Sequence, residues 1–79
     1  MNKNNTKIAI IGIGYVGLPL AVEFGKIYET IGYDFNRKKI NSLKKNYDLN
    51  GEISSKDLKK SKKLSFTSNI KHIAKFNFY

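Results

Sequence analysis

The chain of 79 residues has no cysteine and no tryptophan, and it has a single proline. Without cysteine there is no disulfide staple, no thiolate nucleophile and no cysteine-type metal site. Acidic residues are scarce, 6 against 15 basic ones, which leaves a net charge of +9. Those cations are all lysine except Arg37. Lysine lacks the planar fork with which arginine reads base edges, so the charge fits general attraction to anions better than sequence-specific DNA recognition. No apolar run is long enough to span a bilayer. Lys3 and Lys7 imitate the charged start of a secretion signal, but the apolar segment behind them is broken by glycine. The expectation is therefore a cytoplasmic protein without a membrane partner. A chain this short buries only about 60% of its unfolded surface, so it is one small domain or a piece of a larger one.

What is present is concentrated near the start. Ile8-Ala9-Ile10-Ile11 is an unbroken apolar run, as in a strand covered on both faces of a parallel sheet. Gly12, Gly14 and Gly17 follow at the spacing G-x-G-x-x-G and open a helix. In a dinucleotide site the first glycine makes the tight turn, the second lets backbone approach a pyrophosphate, and the third lets helix and strand pack closely. The helix N-terminus supplies free N–H groups and positive dipole to the phosphates.

Along the chain, residues 1–6 read as a polar, frayed terminus and 7–79 as the domain. A first helix is predicted from about Tyr15 to about Lys26, with Pro19 tolerated near its first turn and Leu18, Leu20, Ala21, Val22 and Phe24 as its apolar face. Thr30 to Tyr33 is the second strand, with Gly32 at a close approach of backbone or ligand. Asn36 caps a second helix whose stripe is Ile40, Leu43 and Tyr47, and which ends at Asp48. Ser54 and Asp57 form a capping-box-like start to a short helix over Ser55 to Lys62. Leu64 to Thr67 is the third strand, Ser68 or Asn69 caps a short helix with Ile70, Ile73 and Ala74, and a fourth strand begins near Phe76. The resulting order, β-α-β-α-α-β-α-β, is an α/β pattern: the first half of a doubly wound parallel sheet, incomplete, with expected strand order 3-2-1-4.

Asp34 closes the second strand about 20 residues after the glycines, where a carboxylate bonds the adenosine ribose hydroxyls. It repels a 2′-phosphate, which favours NAD over NADP, a preference weakened by Arg37 and the lysines nearby. Tyr15 and Val16, inside the turn, either line the cofactor or anchor the turn. His72, between Lys71 and Lys75, reads as solvent-facing rather than as a general acid or base. The basic run Lys56 to Lys63 reads as a solvated face, since no aromatic residues interleave for stacking on bases. Glu23 and Glu29 have no partner at metal-ligand or acid–base spacing. No metal site and no catalytic residue is expected.

The wording Gly12-Ile13-Gly14-Tyr15-Val16-Gly17-Leu18-Pro19-Leu20-Ala21 resembles the opening of the UDP-glucose/GDP-mannose dehydrogenase family. Gly32-Tyr33-Asp34-Phe35-Asn36 with Lys39-Ile40 is similar to its second-strand segment, and Leu64 to Ser68 and Asn77-Phe78-Tyr79 to its later strands. The resemblance is greatest to the branch acting on UDP-N-acetylhexosamines for surface polysaccharide. It implies a Rossmann-type NAD-binding domain, with Gly12, Gly14, Tyr15, Val16 and Gly17 at the pyrophosphate, Asp34 on the ribose, and Lys39, where the family usually has arginine, beside it. The family oxidises the sugar C6 alcohol to a carboxylate through a covalent thiohemiacetal on a cysteine. This chain lacks that cysteine, so the resemblance implies an inactive N-terminal fragment that meets a UDP-sugar only as part of a full-length enzyme. Alternatives are a fragment of another NAD-dependent dehydrogenase, of the 6-phosphogluconate or hydroxyacid type, and a small basic nucleic-acid-binding module. The reading adopted carries no nucleic-acid partner.

Overall fold

The computed structural model of the chain describes residues 6–14, 17–74 and 77–78. Four parallel strands form one sheet in the order β3-β2-β1-β4, with β1 at Lys7–Ile11, β2 at Glu29–Tyr33, β3 at Leu64–Thr67 and β4 at Asn77–Phe78. This is the 3-2-1-4 order that the alternation of elements predicts. β1 is in register with β2 from Lys7↔Glu29 to Ile11↔Tyr33, and with β4 at Ile8↔Asn77 and Ala9↔Phe78. β2 pairs with β3 from Thr30↔Leu64 to Tyr33↔Thr67.

The helices are α1 at Gly17–Gly25, α2 at Arg37–Lys44 and α3 at Ser55–Lys60, followed by a 3-10 helix at Ile70–Ile73. Alternation along β1 splits the core in two. Ile8 and Ile10 pack with Ile13, Leu18, Ala21, Val22, Leu43 and Leu58 on the side of α1, α2 and α3, whereas Ala9 packs with Ile31 and Ile73 on the other. Each fully buried Ile or Leu side chain contributes roughly 1.5–3 kcal/mol.

The caps fall where the sequence puts them. The Asn36 side chain accepts the Lys39 backbone N–H, Ser54 accepts that of Asp57, and Asn69 accepts that of Lys71. Several boundaries differ from expectation. α1 runs from Gly17 to Gly25 rather than from Tyr15 to Lys26, and Leu20 is exposed instead of facing the sheet. α2 stops at Lys44 because Asn46 takes a left-handed conformation (φ 61°), which Asn tolerates better than most residues. Tyr47 therefore leaves the helical stripe and is exposed. Asp48 does not end the helix but organises the next loop: its buried carboxylate accepts the backbone N–H groups of Asn50, Glu52 and Ile53. α3 ends at Lys60 because the Ser61 hydroxyl turns inward and donates to the Val22 carbonyl at 2.6 Å. Thr6, expected in the frayed terminus, is buried. Residues 1–5, Phe76 and Tyr79 lie outside the described residues. Among the described residues no helix is long and apolar enough to cross a membrane.

Candidate functional site

The site assembles at the C-terminal ends of β1 and β2, where a doubly wound sheet opens its crevice. The Gly12 N–H donates to the Tyr33 carbonyl at 2.8 Å and the Asp34 N–H to that of Thr67 at 3.2 Å, so the ladder is extended past the strand ends and both turns are tied to the sheet. Gly12 has φ +85°, a region that suits glycine. At Gly17 a Cβ would run into the Gly12 carbonyl oxygen and sit 3.5 Å from Ile10, so α1 lies against β1 only because that residue has no side chain. Over Gly14 a Cβ would meet nothing within 4 Å. This open backbone, directly before the N-terminus of the nine-residue α1, fits a pyrophosphate. Tyr15 and Val16, which the sequence places in the same turn, lie outside the described residues.

Asp34 is brought to this turn across β2. Its carboxylate accepts the Ile13 N–H at 3.2 Å on Oδ2 and the Asn36 N–H at 2.9 Å on Oδ1. Lys39, in the first turn of α2, places Nζ 3.4 Å from Asp34 Oδ2 and donates to the Ile13 carbonyl at 2.9 Å. Burial pushes the Asp34 carboxyl up, but the Asn36 and Ile13 N–H groups and the Lys39 ammonium outweigh it and hold the group below the ordinary carboxylate range. The carboxylate is thus ionised and fixed at neutral pH. Its remaining lone pairs suit the hydroxyls of a ribose.

The structure therefore brings together Gly12, Gly14, Gly17, Asp34 and Lys39. Two further residues adjoin this arrangement in the chain and were not singled out from the sequence. Ile13 is buried, supplies both backbone groups that hold Asp34 and Lys39, and fills the space over Gly32, where a Cβ would lie 2.7 Å from its Cδ1. The role it plays toward Asp34 and Lys39 is carried by backbone groups, for which the sequence holds no signal. Phe35 is 84% exposed beside Asp34, a large ring with no part in the core.

His72 stands apart. It is exposed, and its Nδ1 is 2.6 Å from Thr67 Oγ1 in the turn after β3. The basic run lies mostly on the exposed side of α3, with only Leu58 and Ser61 buried. A cavity of about 420 Å³ opens between α2, α3 and β3, its walls including Lys44, Leu58, Lys59, Lys62 and Phe66; none of Gly12, Gly14, Asp34 or Lys39 lines it. Among the described residues no group of three or more His, Cys, Asp or Glu side chains is placed to hold a metal ion.

A glycine turn between strand and helix, with a fixed carboxylate at the end of the next strand, defines a dinucleotide-binding α/β domain. The chain belongs to the UDP-glucose/GDP-mannose dehydrogenase family, whose NAD-binding domain it matches over residues 6–78. It is 51% identical over 76 residues to a UDP-N-acetyl-D-glucosamine 6-dehydrogenase of Salmonella typhi, covering 96% of this chain and 18% of that protein. It is 44% identical over 73 residues to the UDP-N-acetyl-D-glucosamine 6-dehydrogenase of Pseudomonas aeruginosa, covering 92% of this chain and 17% of that one. The solved structure of a UDP-D-ManNAc dehydrogenase from Pyrococcus horikoshii superposes with a TM-score of 0.80 at 28% identity, over 92% of this chain and 19% of that chain. The chain thus spans less than a fifth of the length of these relatives, and it corresponds to their NAD-binding part.

Proposed function

We propose that this chain holds the adenosine half of NAD for a nucleotide-sugar 6-dehydrogenase that oxidises the C6 alcohol of a UDP-N-acetylhexosamine. The observation that carries this reading is the Asp34 carboxylate, ionised and locked at the lip of the glycine turn by Ile13, Asn36 and Lys39. Gly12, Gly14 and Gly17 take the pyrophosphate, a role the family wording extends to Tyr15 and Val16, Asp34 accepts hydrogen bonds from the ribose hydroxyls, and Lys39 steadies Asp34. Bound NAD supplies the acceptor for the hydride that leaves the sugar carbon. The chain itself contributes binding and orientation. It has no cysteine to act as a covalent nucleophile, so the oxidation draws its reacting groups from outside these residues and these residues alone are inactive. The names of the Salmonella and Pseudomonas relatives support the UDP-N-acetylhexosamine, and the absence of a membrane-crossing helix among the described residues fits a cytoplasmic site.

Calorimetric titration with NAD tests the reading. Half of a dinucleotide site is expected to bind at about millimolar, or about −4 kcal/mol. Asp34→Ala is expected to weaken that roughly tenfold, the equivalent of about 1.4 kcal/mol. Equal affinity in the two chains contradicts the role given to Asp34.

A further inference from the structure

Lys39 does more than accompany Asp34. Its ammonium is held at two points, 2.9 Å from the Ile13 carbonyl and 3.4 Å from Asp34 Oδ2, and its side chain is 25% exposed against 12% for Asp34. The backbone beneath it is fixed as well, since the Asn36 side chain accepts the Lys39 N–H at 3.1 Å. An ammonium has three N–H donors, so two engaged positions leave one for an incoming group. The adjacent cations on α2, Arg37 and Lys38, are exposed.

Resting on the cofactor reading above, we propose that Lys39 sets how this site treats a phosphate on the adenosine 2′ oxygen. A bare carboxylate at the ribose rejects that phosphate in two ways. It repels the charge, and it loses a hydroxyl donor. In this chain the carboxylate is half of a neutral pair, and the spare donor of Lys39 sits on the pair itself. The ribose hydroxyls of NAD are read by Asp34, whereas a 2′-phosphate is read by Lys39, as a point charge rather than through the bidentate fork of an arginine. The site consequently discriminates against the 2′-phosphate less than Asp34 alone dictates.

The test uses two probes that reach only this end of the site, 5′-AMP and adenosine 2′,5′-bisphosphate, titrated into the full chain and its variants at low salt. The unaltered chain is expected to bind the two within about tenfold of each other. Lys39→Gln is expected to weaken the bisphosphate about tenfold more than it weakens 5′-AMP, or about 1.4 kcal/mol in the ratio, whatever both nucleotides lose when Asp34 is no longer steadied. Lys39→Arg is expected to restore the bisphosphate, and the difference to shrink as salt screens the charge. Lys38→Gln removes the same charge from an exposed neighbour and is expected to leave the ratio unchanged. A ratio of the two affinities that Lys39→Gln leaves untouched, or that Lys38→Gln lowers equally, overturns the proposal. Failure of the unaltered chain to bind either nucleotide overturns the cofactor reading itself.

Discussion

The Asp34 carboxylate receives N–H groups from Ile13 and Asn36 and the ammonium of Lys39, and all of these favour its charged form. A carboxyl whose folded pKa is held below its unfolded value stabilises the fold at pH values above the ordinary carboxylate range. That contribution is lost as pH falls through the lowered folded value. Urea unfolding is therefore expected to show the unaltered chain losing stability between neutral pH and about pH 3 more steeply than Asp34→Asn. Parallel pH profiles contradict the assignment. Gly17 is the second residue on which the turn depends. Gly17→Ala drives a methyl into the Gly12 carbonyl, so α1 must lift from β1. A cost of about 1–3 kcal/mol in thermal or urea unfolding is expected, together with loss of detectable nucleotide binding. Both roles were legible in the sequence, from the glycine spacing and from an acid at the end of the next apolar segment. The part of Ile13 was not. Its contribution comes from its backbone N–H and carbonyl, which no residue type announces.

At the scale of elements, α2 carries information in both directions. Asn36 caps it, and because the same turn carries Lys39, the cap also aims the ammonium at Asp34. Asn36→Ala is expected to cost about 1 kcal/mol of stability and to weaken nucleotide binding along with it. Unchanged binding at reduced stability, measured by calorimetry and urea unfolding, separates the cap from the site. The existence and order of the elements followed from apolar periodicity and cap residues, as with Asn36 and Ser54. Their ends did not. Periodicity continues α2 to Tyr47, but the left-handed backbone at Asn46 interrupts it, and a helix stripe read from spacing alone does not register such a turn. Ser61 was similarly invisible, since its partner, the Val22 carbonyl, is on another helix.

For the whole molecule, the excess of lysine has a thermodynamic consequence that is separate from the site. The exposed ion pairs Lys7–Glu29 and Lys26–Glu23 contribute little in water. Self-repulsion at a net charge of +9 opposes the compact state and is screened by salt. The melting temperature is accordingly expected to rise between about 20 and 200 mM sodium chloride, as followed by circular dichroism; a fall on adding salt contradicts this. The same charge suggested nucleic acid as an alternative partner, but membership of the dehydrogenase family and the geometry around Asp34 direct attention to a dinucleotide. The most direct measurement is a two-dimensional nitrogen–proton NMR titration of the labelled chain with 5′-AMP. The account predicts saturable shifts centred on Gly12, Gly14 and Asp34 at millimolar nucleotide. Shifts centred instead on Lys59 and Lys62 beside the α2–α3–β3 cavity, or none at all, would contradict it.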